Sequence, residues 1–371
     1  MRVVVALNYY APYVSGLTNV ARDVAEGLAA RGHDVTVVTT QHRSDLPREE
    51  TRNGVRVLRC PVALRIGKGV ISPSFIGTVV REGKKADVVN IHAPMLEAGP
   101  IASRLRAQVP VVMTYQCDID DSGGLVARVQ ARVMDTSCGR AADAVAVSVV
   151  SSDDYADHSR ISRRLSRSRA VIEPGCMDRS GGAPRYREGQ GLHVGFLGRI
   201  VEEKGITYLV EGFSALDDPD ARLLIGGDFG EIAGGSVIDD VRRAIGDDPR
   251  IHLLGFLPDE AIPDFYASLD AFALTSVNSF EAFGIVQVEA MIAGVPAIAS
   301  DMPGVRQPVL ATGFGVIVPP RSPEGITGAL TELRGLSFDR ETLAAEAKRR
   351  YGEQSALDRY ENLFRDLVQA K

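Results

Sequence analysis

The sequence predicts an α/β protein built from two tandem, doubly wound, Rossmann-like domains facing across a cleft. Short β-branched runs alternate with stretches of helical period along the whole chain. The pattern breaks once, in a Gly-, Pro- and charge-rich stretch at residues 178–191, and then restarts. A length of 371 residues also exceeds what one core usually supports.

The first half opens on "RVVVALN", whose branched side chains suit a strand buried on both faces. In "LTNVARDVAEGLAARG", Leu17, Val20, Ala21, Val24, Ala25 and Leu28 recur at helical spacing, and Gly32 stands where a C-terminal cap belongs. "HDVTVVTT" is the next strand, and a strand–helix–strand succession sets the two strands parallel. Strands follow at "GVRVLRC", "ADVVNIHAP", "VPVVMTYQ" and "DAVAVSV". The domains are placed at residues 1–185 and 186–352. In the second, "LHVGFLGR" is a strand, Ile206, Leu209, Val210 and Phe213 mark a helix, and "ARLLIGG" is a further strand. The terminal stretch carries Leu357, Tyr360, Leu363, Phe364, Leu367 and Val368 on one side, so a helix at about residues 353–371 is expected to pack back on the first domain.

The four cysteines are scattered without a C-x-x-C pair, which argues against a zinc site or a disulfide framework. The start reads as a strand and no run of about eighteen apolar residues occurs, so a cytoplasmic protein is expected. The net charge of −6 divides unevenly: residues 1–190 hold 26 Lys and Arg against 20 Asp and Glu, and the remainder is strongly acidic. The halves are therefore expected to meet different partners.

The chemistry concentrates at "SFEAFGIVQVEAMIAGVPAIAS". Glu281 lies on a loop and Glu289 lies inside the helix that follows, with apolar residues between them. A helix starting near Gly284 offers unpaired N–H groups from Phe283, Gly284, Ile285 and Val286 and a partial positive charge, which suits a phosphate. Glu289 tilts back toward that start and could accept from the cis-diol of a ribose; Glu281 could meet the other end of the same ligand. Dipole complementation and capping are the alternative reading of both. In "GRIVEEKG", Arg199 and Lys204 stand at a strand end, suited to a departing diphosphate or to pairing with Glu202 and Glu203.

Together "GRIVEEKG", "EAFGIVQVE", "GVPAIASDMPGV" and "GFGVIVPPRSPEGI" resemble, in order and spacing, the retaining glycosyltransferases of the GT-B fold, specifically glycosyltransferase family 4 with its E-x7-E signature. The first half resembles the family through "NYYAPYVSGLTN", "RGHDVTVVT", "ADVVNIHAP" and "VVMTYQCD". The resemblance implies transfer of a sugar, with retention, from a nucleotide diphosphate sugar (UDP first, GDP next) to a hydroxyl or amine acceptor, without a metal or other cofactor. It assigns Arg199 and Lys204 to the diphosphate, Glu289 to the ribose, and Glu281 to the reacting sugar. Leu254, Phe256 and Leu257 would line the base pocket, and Gly16, beside Ser15, would bring backbone N–H groups to the phosphates. Gln116 stands where relatives usually carry histidine and cannot exchange a proton near neutral pH. It and Asp118 are placed with Glu281 at the reacting centre.

Low-turnover nucleotide-sugar binding and sugar-nucleotide epimerisation are the alternative functions. A nicotinamide enzyme is excluded by the lack of G-x-G-x-x-G after either first strand. Asp118 and Asp120 form a D-x-D, read as a polar loop over the acceptor. His92 closes a strand, as an acceptor contact or a packed imidazole, and His33 is read as structural. Arg160, Arg163, Arg164 and Arg167 fall at i, i+3, i+4 and i+7, a helical face that is either solvated or set against an anionic membrane or a phosphorylated acceptor. No nucleic-acid partner is expected.

Overall fold

The computed structural model describes residues 1–66, 69–119, 124–228 and 236–370. The chain divides into two compact units, Met1–Gly175 with Glu353–Lys371, and Cys176–Gly352.

In the first unit the strands are β1 (Arg2–Ala6), β2 (Asp34–Thr40), β3 (Glu49–Arg52), β4 (Val55–Cys60), β5 (Leu64–Ile66), β6 (Gly69–Ile71), β7 (Val88–Ala93), β8 (Val111–Tyr115), β9 (Val147–Val150) and β10 (Arg169–Val171). Eight of them form one sheet in the order β10-β9-β8-β7-β1-β2-β4-β3, while β5 and β6 make a separate antiparallel pair. All neighbours in the large sheet are parallel except β3, which runs antiparallel to β4 at the edge. Val3, Val5, Val35, Val37, Val88 and Val112 supply a core of stiff branched side chains. The order reverses between β1 and β7, so the carboxyl ends of these two strands flank the switch point at which such sheets take ligands.

The helix Glu353–Gln369 closes the same core with Leu357, Tyr360 and Phe364. It lies so close to the helix Gly16–Ala30 that a Cβ on Gly27 would stand 2.7 Å from Leu357 Cδ2. Glu361 fixes its position through Arg31 at 2.6 Å and His33 at 2.9 Å.

The second unit contains β11 (His193–Leu197), β12 (Arg222–Gly226), β13 (Ile251–Gly255), β14 (Ala271–Leu274), β15 (Ala297–Ser300) and β16 (Gly315–Val318). They form a wholly parallel sheet in the order β13-β12-β11-β14-β15-β16, reversing between β11 and β14. Helices cover it, among them Ile206–Ser214, which buries the four residues its periodicity marks.

Two features differ from the sequence reading. The units divide at Gly175, ten residues before the position read from composition, because the Gly- and Pro-rich stretch is strapped to the second unit. There the Ala183 N–H donates to Asp264 at 2.8 Å, the Tyr186 N–H donates to Ser268 at 3.0 Å, and Arg187 pairs with Asp270 at 3.1 Å. The arginines from 160 to 167 do not share one helix: the chain breaks at Ser159, and only Ser162–Leu165 is helical there. The backbone N–H of Arg160 donates to Asp118 at 3.1 Å, which holds the break. Arg160 pairs with Asp135, and Arg164 and Arg167 share Asp143, so two carboxylates offset half of the four arginine charges. Among the described residues no helix is long and apolar enough to cross a membrane.

Candidate active site

The switch point of the second sheet gathers the residues of both motifs. The loop leaving β11 turns at Gly198, passes Arg199, forms a single turn at Glu202–Lys204 and ends on Gly205 with φ +62°. A Cβ on Gly205 would stand 2.2 Å from the Thr275 carbonyl oxygen, so glycine alone lets the two loops touch. Thr275, just past β14, donates its hydroxyl to the Lys204 carbonyl at 3.1 Å, and the Val277 N–H donates to the Glu203 carbonyl at 2.9 Å. The Lys204 side chain then spans the gap to Glu281, Nζ to Oε2 being 2.5 Å. Arg199 stands further out, paired with Glu203 at 3.0 Å.

The helix Ile285–Ile292 starts on Gly284, whose φ is +82°. A Cβ there would meet Leu274 Cδ2 at 2.2 Å and Gln287 Nε2 at 2.7 Å. Packing within the protein is therefore enough to require this glycine. The N–H groups of Ile285 and Val286 belong to the first turn and have no intrahelical acceptor. Gln287, which sequence reasoning passed over as one more helical residue, is wholly buried. Its Nε2 donates to the carbonyls of Phe283 at 2.7 Å and Val305 at 2.8 Å, anchoring the loop that carries Glu281.

Glu289 lies inside the same helix and is 7% exposed. The Tyr266 hydroxyl, 3.4 Å away, and Arg179 Nε, 3.8 Å away, flank its carboxylate. Burial pushes its pKa up to about 7, the Arg179 charge and the Tyr266 and Met177 hydrogen bonds recovering only part of the desolvation cost. Arg179 is a second residue the sequence reading missed. It is held by both oxygens of Asp259, at 2.9 and 2.7 Å, and its only signal in the sequence was an arginine in a stretch that looked like a connector.

Of the three residues assigned to the base pocket, Leu257 turns into the core, Leu254 packs half-buried against it, and Phe256 is 73% exposed. Leu254 lies in β13 and Phe256 and Leu257 just past it, at the sheet edge two strands from β11, which leads into the Lys204 loop.

In the first unit, Gly16 and Gln116 follow β1 and β8, and His92 lies near the carboxyl end of β7. Gly16 opens its helix, with Ser15 as N-cap in a reciprocal capping box with Thr18. A Cβ on Gly16 would meet nothing within 4 Å, so the space above this helix start is open. Gln116 contacts both neighbouring elements, with Nε2 3.2 Å from the Leu17 carbonyl oxygen and 3.0 Å from His92 Nδ1. The His92 imidazole is packed, at 1% exposure, and does not reach the surface. Asp118 is also interior: its carboxylate accepts from the Tyr115 hydroxyl at 2.5 Å, the Ser159 hydroxyl at 2.8 Å and the Arg160 N–H. Asp120, the other half of the D-x-D, lies outside the described residues.

Two family models match the chain, one over each unit. The model for glycosyl transferases group 1 matches residues 187–350, which include Arg199, Lys204, Glu281 and Glu289. A glycosyl transferase 4-like domain matches residues 15–175. Glycosyltransferase models thus match both units, and the chain is a glycosyltransferase. Among curated relatives, this glycosyltransferase is 29% identical to a GDP-mannose-dependent alpha-mannosyltransferase of Mycolicibacterium smegmatis, over 93% of each chain. Among solved structures it resembles sucrose-phosphate synthase from Thermosynechococcus elongatus, with TM-score 0.77, 18% identity and 100% of both chains covered. It also resembles Anabaena HepE, solved in complex with UDP-glucose, with TM-score 0.73 and 18% identity over 99% of this chain and 100% of that one. The similarity to solved chains establishes the GT-B fold.

Proposed function

We propose that the enzyme transfers a sugar, with retention of anomeric configuration, from a nucleoside diphosphate sugar to a hydroxyl acceptor, and that GDP-mannose is the first donor to test. The observation that carries this is the Lys204–Glu281 pair, set at a sheet switch point beside a helix start. In the proposal the diphosphate lies on the N–H groups of that start and draws Lys204 and Arg199 to itself. Glu281, released from Lys204, accepts from hydroxyls of the transferred sugar, and Glu289 accepts from the ribose. As the bond from the anomeric carbon to the phosphate oxygen breaks, the acceptor oxygen attacks from the same face and gives its proton to that phosphate oxygen. The two cations and the helix tip neutralise the leaving charge, so the proposed reaction needs no metal.

Guanosine is placed ahead of uridine because the GDP-mannose-dependent relative is similar in sequence over nearly its whole length, whereas the UDP-glucose complex shares the fold only. The test is thermal stabilisation by GDP, UDP and ADP and their sugars, followed by NMR of the product anomer with and without EDTA. Stabilisation by GDP-mannose and an α-linked product are expected. A β-linked product from an α-linked donor would exclude retention, and preferential stabilisation by a uridine ligand would reverse the donor assignment.

A further inference from the structure

The side-chain amide of Gln116 is held from two sides within the first unit. Nε2 lies 3.2 Å from the Leu17 carbonyl oxygen and 3.0 Å from Nδ1 of His92. A carbonyl oxygen can only accept, so the group facing Leu17 must be the NH2 and not the amide oxygen. The second N–H of that NH2 then meets His92 Nδ1, which must be the unprotonated ring nitrogen, leaving the ring proton on Nε2. The surroundings agree, because the ring is buried and burial lowers its pKa to about 3, keeping it neutral. Its Nε2 has no partner among the described residues.

Both donors of Gln116 are thus satisfied internally, and Oε1, which has no partner among the described residues, is the one polar atom of the amide left for a ligand. We infer that His92 is a positioning residue: together with the Leu17 carbonyl it fixes the Gln116 amide so that Oε1 faces the substrate as an acceptor for a sugar hydroxyl. The inference rests on the glycosyl-transfer reading above. Fixed in this way, Gln116 discriminates: a hydroxyl can donate to Oε1, whereas a phosphate or carboxylate placed there would meet an unsatisfied acceptor. The arrangement also gives the glutamine a role that requires no proton exchange.

Two substitutions in the full chain test this. In His92→Asn the amide oxygen stands close to the place of Nδ1 and still accepts from Gln116; His92→Phe fills the volume with no acceptor. The phenylalanine variant is expected to lose about tenfold in kcat, the cost of one hydrogen bond in the transition state, with GDP affinity unchanged, and the asparagine variant is expected to recover most of that loss. Full activity in the phenylalanine variant, or equal loss in both, overturns the inference. Nitrogen-15 NMR of histidine-labelled parent protein provides a readout that does not depend on turnover. His92 is expected as the Nε2–H tautomer at neutral pH, and a proton on Nδ1 or a charged ring overturns the lock. Hydrolysis of the donor without acceptor, run alongside, tells whether the hydroxyl belongs to the donor sugar. A parent protein that turns over no sugar nucleotide defeats the transfer reading, while the NMR result still decides the tautomer.

Discussion

The ammonium of Lys204 stands 2.5 Å from Oε2 of Glu281, a contact between the two loops at which the second sheet reverses its strand order. Both side chains are mostly buried, at 16% and 15% exposure, so each compensates the desolvation of the other. In the proposed reaction that pairing is exchanged for contacts with the diphosphate and the sugar.

Lys204→Ala is therefore expected to do two separable things. It leaves Glu281 poorly solvated and unpaired, which costs about 1–3 kcal/mol of stability in chemical denaturation. It also removes a cation from the departing diphosphate, lowering kcat about 100- to 1,000-fold. Adding Glu281→Gln should restore stability without restoring turnover. Recovery of both together would mean that Lys204 only balances a charge.

Gly284→Ala is expected to destabilise the second unit by about 2–4 kcal/mol, because a left-handed backbone and a contact of 2.2 Å with Leu274 oppose the added methyl group. Urea unfolding of the single variant and of Gly284→Ala with Leu274→Ala separates the two causes. With Leu274→Ala as the second single variant, a double variant no more stable than the two single effects added together would show that the methyl group does not press on Leu274.

The strands that carry the site were legible in sequence because parallel strands buried on both faces leave continuous branched apolar runs, as at β1, β7 and β8. The edge strand Glu49–Arg52 leaves no such run, since its residues are charged or polar and mostly exposed, and the short β5–β6 pair and β10 are likewise silent. Glu281, Gly284 and Glu289 could be found because their spacing belongs to one loop and one helix. Arg179 could not, because its partners Asp259 and Glu289 are 80 and 110 residues away in the chain and only tertiary packing brings them to it. The arginine run misled for the converse reason: helical spacing says nothing of the Asp118 carboxylate that captures the Arg160 N–H and breaks the helix.

The terminal helix is predicted to be indispensable to the first unit. Phe364 is wholly buried, and Phe364→Ala should cost about 3–5 kcal/mol. A chain ending at Gly352 would expose the core lined by Val3, Val5, Val24 and Leu28. Hydrogen exchange is the measurement: protection should fall across β1, β2 and β7 and persist across β11 to β16. Unchanged protection in the first sheet would show that the helix is dispensable.

Glu289 should make stability and ligand affinity respond to pH in opposite directions. Its pKa rises from the usual 4.5 to about 7 on folding, so between these values the folded chain keeps a proton that the unfolded chain has released. The stabilising contribution is complete below 4.5 and is lost as pH rises through about 7. The difference corresponds to about 3 kcal/mol. Glu289→Gln, neutral throughout, should flatten this slope and leave the protein more stable than the parent above about pH 7.5 by up to the same amount. A ribose diol donating two hydrogen bonds favours the ionised carboxylate, so nucleoside affinity should rise with pH in the parent and be weaker and flat in the variant. Guanosine is the probe of choice, because it lacks phosphates that titrate in the same range. Urea unfolding and calorimetric binding across this pH window check both directions. Parallel profiles for parent and Glu289→Gln would show that the buried carboxyl neither carries the proton nor meets the ribose.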